Sequence, residues 1–164
     1  MPLAVGDKLP ECTFMTSGNP QESGACAMPK PLTTTEVFAK KLVVLFAVPG
    51  AFTPTCHLQH LPGYVKHYSE FKAKGVDTVA CLATNDVFVL DAWGKAENVG
   101  EKVMFLADGS GKFVASVDMA LDLTAKGMGV RAQRFAMIVR DGVVEYVAVG
   151  ELDVSGAEAI LHKL

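Results

Sequence analysis

Several features that mark common functional classes are missing from these 164 residues. The longest strongly apolar run, Leu42 to Val48, has seven residues, whereas a membrane-spanning helix needs roughly 20. Positive charge is not in excess, because the formal net charge is -3, and nucleic-acid binding depends on Lys and Arg that neutralise phosphates. The phosphate-binding pattern Gly-x-x-x-x-Gly-Lys is also absent. We therefore expect neither a membrane nor a nucleic acid as a partner.

Cysteine is scarce as well, and the positions of the cysteines limit the kinds of structure and reaction that they can support. The four cysteines (Cys12, Cys26, Cys56 and Cys81) do not make a disulfide scaffold. No Cys-x-x-Cys pair occurs, which disfavours a dithiol reductase. The N-terminus lacks a basic start followed by an apolar run, and it is not Arg-rich. We expect a reducing, cytoplasmic location, although a mature organellar form would look the same, and a cysteine that matters through its reactivity.

The hydrophobic pattern predicts one α/β domain over residues 1–164. Half of the residues are hydrophobic, enough for a core without metal or disulfides. Continuous apolar runs predict buried strands, and apolar residues at steps of three and four predict helices. The predicted strands are 42–48, 76–83, 103–107, 134–139 and 143–149, and the predicted helices are 55–75, 86–99, 112–119 and 155–164. This order implies a mixed sheet with helices on both faces.

Local signals add detail to that order. Residues 1–41 are broken by Pro and Gly, including Gly18-Asn19-Pro20 and Gly24, so loops and short strands are expected. Thr33 followed by Glu36 resembles a capping box, and Asp141-Gly142 predicts a hairpin.

In the helices, Pro62 predicts a kink, and Ser155 is the expected cap of the last helix. Asn85 or Asp86 would cap the second long helix. We expect that helix to turn four residues inward, and a loop to run through Gly127 and Gly129. The four are Phe88, Val89, Ala92 and Trp93.

Cys56 stands where a buried strand gives way to a loop and a helix. If the helix starts near Thr55, Cys56 lies in its first turn, among backbone N–H groups without intrahelical partners. Those donors and the positive end of the helix dipole favour a thiolate, which is the nucleophilic form. The alternative is that Cys56 is a small apolar core residue, as free cysteines often are. The helix-start context by itself leaves both interpretations open.

The surrounding residues resemble a known family. Pro49-x-x-x-Thr53-x-x-Cys56 resembles the peroxidatic motif of peroxiredoxins, and Pro49-Gly50-Ala51-Phe52-Thr53-Pro54 is similar to its type II (peroxiredoxin 5-like) form. Further blocks match in order over roughly residues 1 to 150, namely His60-Leu61-Pro62-Gly63, Asn85-Asp86-x-Phe88-Val89 with Trp93, Leu106-Ala107-Asp108, and Arg134-Phe135-x-Met137 through Asp141-Gly142. The resemblance implies a thioredoxin-like fold and a thiol-dependent peroxidase that needs no cofactor.

The resemblance also implies roles for individual residues. Cys56 attacks hydrogen peroxide or an organic hydroperoxide and becomes a sulfenic acid. Thr53 hydrogen-bonds the peroxide, Arg134 stabilises the thiolate and the leaving oxygen, and Pro49 shields the sulfur. Arg131 is the alternative to Arg134 as the cationic partner.

Three further residues are expected to line the substrate pocket: Gly50, Thr55 and His60. His60 is expected to be a structural hydrogen-bonding residue at the pocket edge. Thr55 replaces the family's usual glycine or small residue before the cysteine, and its branched side chain would narrow the pocket.

The step that reduces the sulfenic acid has two possible routes. Cys81 matches the position of the resolving cysteine in plant-like type II members, and no cysteine follows it in the chain. Alternatively Cys81 is only core packing, and glutathione with glutaredoxin, or thioredoxin, reduces Cys56 directly. Cys12 and Cys26 are expected to be incidental. The resemblance further implies a homodimer.

Two other functions compete with this one. Cys56, His57 and His60 suggest zinc, but a structural zinc site needs four ligands, and only His67 and His162 remain among the histidines. No metal is therefore expected. A thioredoxin-fold redox sensor or binding module without efficient turnover would share the reactive thiol, but it would need neither Thr53 nor Arg134.

Overall fold

The computed structural model describes residues 3–17 and 29–164. The strands are β1 (Thr13–Ser17), β2 (Pro29–Thr33), β3 (Leu42–Ala47), β4 (Thr78–Ala83), β5 (Met104–Ala107), β6 (Ala120–Leu123), β7 (Gly129–Ala132), β8 (Phe135–Arg140) and β9 (Val143–Val149). The predicted apolar runs form strands of one seven-stranded sheet, with order β2-β1-β5-β4-β3-β8-β9, and β6 pairs with β7 in a separate hairpin.

Short helices connect these strands. They are α1 (Thr34–Phe38), α2 (Leu61–Lys66), α3 (Tyr68–Ala73), α4 (Val87–Ala96), α5 (Lys112–Ser116), α6 (Leu152–Ser155) and α7 (Ala157–Leu161). A π-helical turn, Cys56–His60, leads directly into α2, and a 3₁₀ turn spans Thr124–Lys126. None of the helices in the described ranges has the length and apolar character to cross a membrane.

The centre of the sheet is apolar on both faces. Strand β3 is buried at all six positions and lies between β4, which is parallel to it, and β8, which is antiparallel. Strand β5 is parallel to β4 on the other side. Because β3, β4 and β5 run in the same direction, the loops after them meet at one edge of the sheet, where ligands bind in α/β folds.

Alternate residues of β3 contribute their side chains to two separate hydrophobic cores, one on each face of the sheet. Phe46 packs with Tyr64, Cys81 and Trp93 under the helices that follow Cys56. Leu45 packs on the opposite face with residues of α1 and α5, such as Phe113. The prediction of an α/β, thioredoxin-like mixed sheet with helices on both faces is confirmed.

Two local signals are confirmed at the residue level. Thr33 accepts from the Glu36 amide while the Glu36 side chain accepts from the Thr33 amide, which is the capping box. Strands β8 and β9 are antiparallel neighbours, and Asp141 and Gly142 both have positive φ (49° and 77°). Two consecutive positive φ values are the mark of the hairpin turn that Asp-Gly favours.

The predicted inward face of α4 was wrong at two positions. Phe88 is 63 % exposed and Ala92 is exposed, whereas Val87, Leu90 and Trp93 are buried. Asp86, not Asn85, is the cap, and its carboxylate accepts from the Val89 amide.

The cap assigned to the last helix was also wrong. Ser155 ends α6, with its hydroxyl donating to the Glu151 carbonyl, and Gly156 is the residue that precedes α7. An alanine Cβ at Gly156 would lie 2.6 Å from the Leu152 carbonyl oxygen, so the chain turns between the two helices where only glycine fits.

Two other regions differ in form from the prediction. The segment around Gly127 and Gly129 contains the β6–β7 hairpin, not a plain loop. The irregularity expected at Pro62 takes the form of the π-helical turn just before it. Proline has no N–H to donate back into the helix, and a wider turn is one way to accommodate that loss. The expected turns at Gly18-Asn19-Pro20 and Gly24, and Cys26, lie outside the described residues.

Candidate active site

The chain from Pro49 to His60, called here the active-site segment, follows β3 at the sheet edge. Its path is fixed from neighbouring strand ends. The Val48 amide donates to the Leu82 carbonyl (3.1 Å), and the Ala51 amide donates to Oδ1 of Asn85 just after β4 (2.9 Å). Phe52 adopts a positive φ of 63°, an uncommon conformation for a bulky residue. The loop is thus held in one shape before the helix begins.

Arg131 supports the start of this segment. Its Nε donates to the Met128 carbonyl (2.8 Å), and its Nη1 donates to the Pro49 carbonyl (3.4 Å). A Cβ on Gly50 would lie 3.1 Å from Arg131 Nη1 and 3.1 Å from Thr53 Cγ2. Glycine at position 50 therefore allows the guanidinium and Thr53 to approach the same backbone.

The Thr53 hydroxyl has a defined direction. Its Oγ1 donates to the Gly50 carbonyl at 2.6 Å, so its only proton is committed to the backbone and its lone pairs remain as acceptors. The Thr53 carbonyl in turn accepts from the His57 amide at 2.8 Å. Thr53 therefore joins the loop to the first turn of the helix.

Cys56 lies at the beginning of that helix. Pro54 and Thr55 are helical, and Cys56 is the first residue of the π-helical turn. The amides of Thr55 and Cys56 precede the His57–Thr53 bond along the chain, in the part of a helix where donors lack intrahelical acceptors. The predicted placement of Cys56 in a first helical turn is confirmed, while the π-helical form of that turn was missed.

His60 ends the same turn and holds Arg134. Arg134 Nη1 lies 2.9 Å from His60 Nδ1, and His60 Nε2 lies 3.0 Å from the Ser155 carbonyl oxygen. An arginine only donates, so Nδ1 accepts from it and Nε2–H donates to Ser155. The neutral imidazole is the only form that satisfies both contacts.

The surroundings of His60 favour that neutral form. The residue is 1 % exposed, and its pKa is lowered to about 4, first by burial and then by the positive charge of Arg134, with the Ser155 carbonyl acting in the opposite direction. At neutral pH His60 is therefore an acceptor for Arg134 and does not repel it.

Arg134 is anchored at both ends. Its backbone carbonyl accepts from the Gly150 amide (2.9 Å), and its Nε lies 3.4 Å from Glu151 Oε2. The Arg134 side chain is 9 % exposed, so a cation that is always charged is held near the edge of the apolar core. His60, which binds this guanidinium, and Cys56 are the two ends of one π-helical turn.

Aromatic packing supports the chain of hydrogen bonds from Arg134 through His60 to the Ser155 carbonyl. The Tyr64 hydroxyl donates to the same Ser155 carbonyl (2.7 Å), and the Tyr64 ring stacks on Phe46 with centroids 3.9 Å apart. Burial raises the pKa of Tyr64 well above its usual range, with neighbouring Cys81 adding to the rise. Tyr64 therefore remains a hydroxyl donor at every pH at which the protein would work.

Cys81 is fully buried in β4, in the core that also contains Phe46 and Tyr64. It faces the helices that follow Cys56, but side chains of that core separate it from solvent. Cys12 is partly exposed, with its sulfur 4.0 Å from Ser116 Oγ.

The residues chosen from sequence fall into two connected groups at this edge. Thr53 and Gly50 form one with Pro49, and Arg134 and His60 form the other; Thr55 is half-buried in the helical residues just before Cys56. Sequence reasoning missed how they are held, by Asn85, Arg131, Tyr64 and Ser155. An amide side chain directly after a buried strand could have identified Asn85, whereas a backbone carbonyl such as that of Ser155 leaves no trace in a sequence.

Among the side chains that the structure describes, no three His, Cys, Asp or Glu come together as metal ligands. His57 and His60 both use Nδ1 for other contacts, with Trp93 and Arg134 respectively.

Comparisons with known proteins agree with this geometry. The family model described as Redoxin matches residues 4–161. Peroxiredoxin-2B of Arabidopsis thaliana is 42 % identical over 99 % of this chain and 99 % of its own length.

Two solved structures extend the comparison. Reduced Prx3 of Vibrio vulnificus in complex with H2O2 has 43 % identity and a TM-score of 0.87, covering 98 % of this chain and 95 % of its own. Peroxiredoxin 5 of Alvinella pompejana has 34 % identity and a TM-score of 0.83, covering 98 % and 97 %.

Proposed function

This chain belongs to the redoxin family and is a peroxiredoxin, a thiol-dependent peroxidase, and from that premise we propose that Cys56 is the residue that reacts with peroxide. The observation that carries the proposal is the place of Cys56, at the start of a helical turn that ends at His60, the residue that binds Arg134. Free backbone donors, the helix dipole and a nearby guanidinium all favour the thiolate. Cys56 is the only cysteine of the chain in such a position among the described residues.

The reaction is a displacement at oxygen. The Cys56 thiolate attacks one oxygen of hydrogen peroxide or of an organic hydroperoxide, the O–O bond breaks, and the other oxygen leaves as hydroxide or alkoxide and takes up a proton. Cys56 becomes a sulfenic acid and the peroxide is reduced to water or an alcohol. The Vibrio vulnificus relative was solved in complex with H2O2, which supports the same class of substrate here.

Thr53 positions the peroxide. Since its own proton is directed to the Gly50 carbonyl, its oxygen accepts from a peroxide O–H and orients the O–O bond towards the sulfur. The amides of Thr55 and Cys56 supply donors to the bound oxygens. Pro49 closes the loop side of the pocket, and Gly50 leaves the space that Thr53 and Arg131 fill.

Arg134 supplies positive charge without a proton equilibrium. It stabilises the thiolate before attack and the negative charge on the leaving oxygen during it. His60 and Glu151 hold the guanidinium in position before substrate arrives, so little reorganisation is needed in the reaction.

The oxidised cysteine has two proposed routes back to the thiol. Cys81 would form a disulfide with Cys56, and this requires Cβ atoms roughly 3.5–4.5 Å apart. Because Cys81 is buried, the turn that carries Cys56 must unwind first. In the other route an external thiol, glutathione with glutaredoxin or thioredoxin, attacks Cys56 directly.

A homodimer is proposed through the surface around the site. Four large apolar side chains there are strongly exposed, namely Phe52, Leu58, Phe88 and Val130, at 49–68 %. Phe52 and Leu58 flank Cys56 in sequence, so a second copy would cover the rim of the pocket. Sedimentation of the wild type and of a Phe88→Lys variant tests this, and a monomeric wild type at micromolar concentration would contradict it.

One experiment tests the chemistry. The fully reduced protein receives one equivalent of hydrogen peroxide and is examined by intact mass and peptide mapping. Loss of two hydrogens with Cys56 linked to Cys81 supports internal resolution, and gain of one oxygen on Cys56 supports an external thiol. If all thiols stay free and Cys56→Ser consumes peroxide as fast as the wild type, the role of Cys56 is wrong.

A further inference from the structure

His57, the residue after Cys56, connects the π-helical turn to α4. Its Nδ1 lies 3.0 Å from Trp93 Nε1, and its ring lies 5.7 Å from that of Phe52. Trp93 is fully buried and its indole N–H is only a donor. A buried donor without an acceptor is costly, so His57 supplies an acceptor that the core of this region needs.

The contact requires one protonation state of Nδ1. To accept from Trp93, Nδ1 must carry a lone pair, which places the proton of a neutral imidazole on Nε2. Glu97 Oε1, at the C-terminal end of α4, lies 3.1 Å from the same nitrogen. A protonated Nδ1 would donate to Glu97 and leave the indole unsatisfied, so the two contacts with this atom exclude each other.

This contact links the beginning of the turn to α4, whereas His60 links the end of the turn to Arg134 and Ser155. The helix α4 is fixed at its start by the Asp86 cap and along its length by buried Trp93, which packs 5.8 Å from Phe105. The middle of the turn is much less embedded, because Leu58 is 68 % exposed and Gln59 is exposed. Opening the turn around Cys56 therefore requires breaking the His57–Trp93 hydrogen bond.

We propose that His57 is a positioning residue that fastens the Cys56 turn to α4 through Trp93 and so decides how oxidised Cys56 reacts next. The inference rests on the proposed role of Cys56 as the peroxide-reactive residue. A closed turn keeps the sulfenic acid in the peroxide pocket, and an open turn presents it to a thiol.

Two reactions compete for the sulfenic acid. In the open turn, Cys56–SOH and a thiol give a disulfide and water. In the closed turn, Cys56–SOH and a second peroxide give Cys56–SO2H and water, so the sulfur is oxidised and the peroxide reduced. Weakening the His57–Trp93 bond shifts the balance towards the disulfide.

The test uses two substitutions of similar size at position 57. His57→Asn places a carbonyl oxygen near the position of Nδ1 and keeps the acceptor, whereas His57→Leu removes it. Each protein is cycled with hydrogen peroxide and a thiol, and sulfinic acid on Cys56 is counted per turnover by mass. We expect His57→Leu to form about three- to tenfold less sulfinic acid, the range for one lost hydrogen bond, and His57→Asn to stay within about twofold of wild type.

Trp93→Phe provides the second half of the test. If the two residues act through their mutual bond, Trp93→Phe reduces the sulfinic yield in the same way, and the double variant with His57→Leu adds nothing further. Hydrogen exchange of peptides covering residues 54–66 should accelerate in each variant, while peptides from β3 and β8 stay protected. Exchange measures the opening directly, without any reaction of Cys56.

The outcomes separate the two proposals. Unchanged sulfinic yield and exchange in His57→Leu, with Cys56 still oxidised by peroxide, overturn the role of His57 alone. Faster exchange in β3 and β8 as well would assign His57 to general stability and overturn it too. A Cys56 that peroxide leaves as a free thiol in wild type contradicts the proposed function, and the exchange result then still decides whether His57 holds the turn.

Discussion

The sheet centre and the active-site segment are neighbours in the chain but are held by different forces. Strands β3 and β8 are buried along nearly their whole length and are stabilised by apolar contacts that need no particular partner. The active-site segment depends on single hydrogen bonds from distant residues, such as Asn85, Arg131 and Trp93.

The difference has a functional consequence. A segment held by a few directional bonds adopts one geometry when they are intact, and it opens when one or two break. A peroxidase that must first exclude water and then offer its sulfur to a thiol needs both states. A sheet stabilised by packing supplies the fixed frame against which that opening takes place.

The largest expected effect comes from removing the nucleophile while leaving the frame intact. Cys56→Ser replaces a thiolate with a hydroxyl that stays protonated, so we expect peroxide consumption to fall by at least about 10³-fold. Cys12→Ser is the matched control and should keep wild-type activity. Both are measured by peroxide consumption with excess thiol, and comparable losses in the two variants would contradict a special role for Cys56.

Substitutions of Arg134 test whether activity depends only on the positive charge at this position or also on the geometry of the guanidinium. Arg134→Gln removes both, and we expect kcat/KM to fall by about 10²–10³-fold, the range for a lost oxyanion-type donor. Arg134→Lys keeps the charge but lacks the planar fork that reaches His60 and Glu151 together, so it should recover only part of the loss. A lysine variant as active as wild type would show that His60 does not need to orient the cation.

His60 lies where the two regions meet, and its titration makes the stability of the folded protein depend on pH. Its pKa is about 4 in the folded protein against 6.5 in the unfolded chain. Above pH 6.5 both states are neutral; as pH falls from 6.5 to 4 the unfolded chain takes up the proton first, so stability is lost. The expected loss is roughly 3 kcal/mol, at about 1.4 kcal/mol per pH unit.

His60→Asn is the control for that response, because it keeps an acceptor for Arg134 and does not titrate. Urea unfolding at several pH values between 4 and 7 should show a shallower fall in the variant than in the wild type. Parallel curves would mean that other groups cause the acid sensitivity.

The two regions also differ in how far they could be predicted from the sequence. The run from Leu42 to Ala47 and the Asp141-Gly142 turn are local patterns, and the structure confirms both. The choice between Asn85 and Asp86 as helix cap could not be made from the local sequence. Asn85 is occupied by the Ala51 amide, Asp86 caps α4, and this sets which residues of the helix face inward.

In the site, the residue types were predictable and their contacts were not. Thr53 and Cys56 are close in sequence, and the helix start between them follows from local signals. The Arg134–His60 bond joins residues 74 apart, and the His57–Trp93 bond joins residues 36 apart. Such pairings depend on how helices settle on the sheet. The role of Cys81, the homodimer and the cytoplasmic location stay predictions.

The smallest expected effect contrasts two glycines that undergo the same chemical change. In Gly50→Ala, the new Cβ would stand 3.1 Å from Arg131 Nη1 and 3.1 Å from Thr53 Cγ2, tighter than nine in ten such contacts. These two side chains must give way by a few tenths of an ångström, and we expect kcat/KM to fall about tenfold because Thr53 is displaced, with a stability loss of about 1 kcal/mol.

Gly63→Ala is the control within α2, where the new Cβ meets only Ala157 Cβ at 3.9 Å. Alanine favours a helix over glycine, so this variant should gain about 0.5–1 kcal/mol and keep its activity. If urea unfolding shows that Gly50→Ala lowers the free energy of unfolding and Gly63→Ala raises it, the loop conformation around Gly50 depends on contacts with Arg131 and Thr53 and not on chain flexibility. A Gly50→Ala protein with wild-type kcat/KM would mean that the loop tolerates displacement, and the constraint on the peroxide would then have to come from the helix side, through His60 and Arg134.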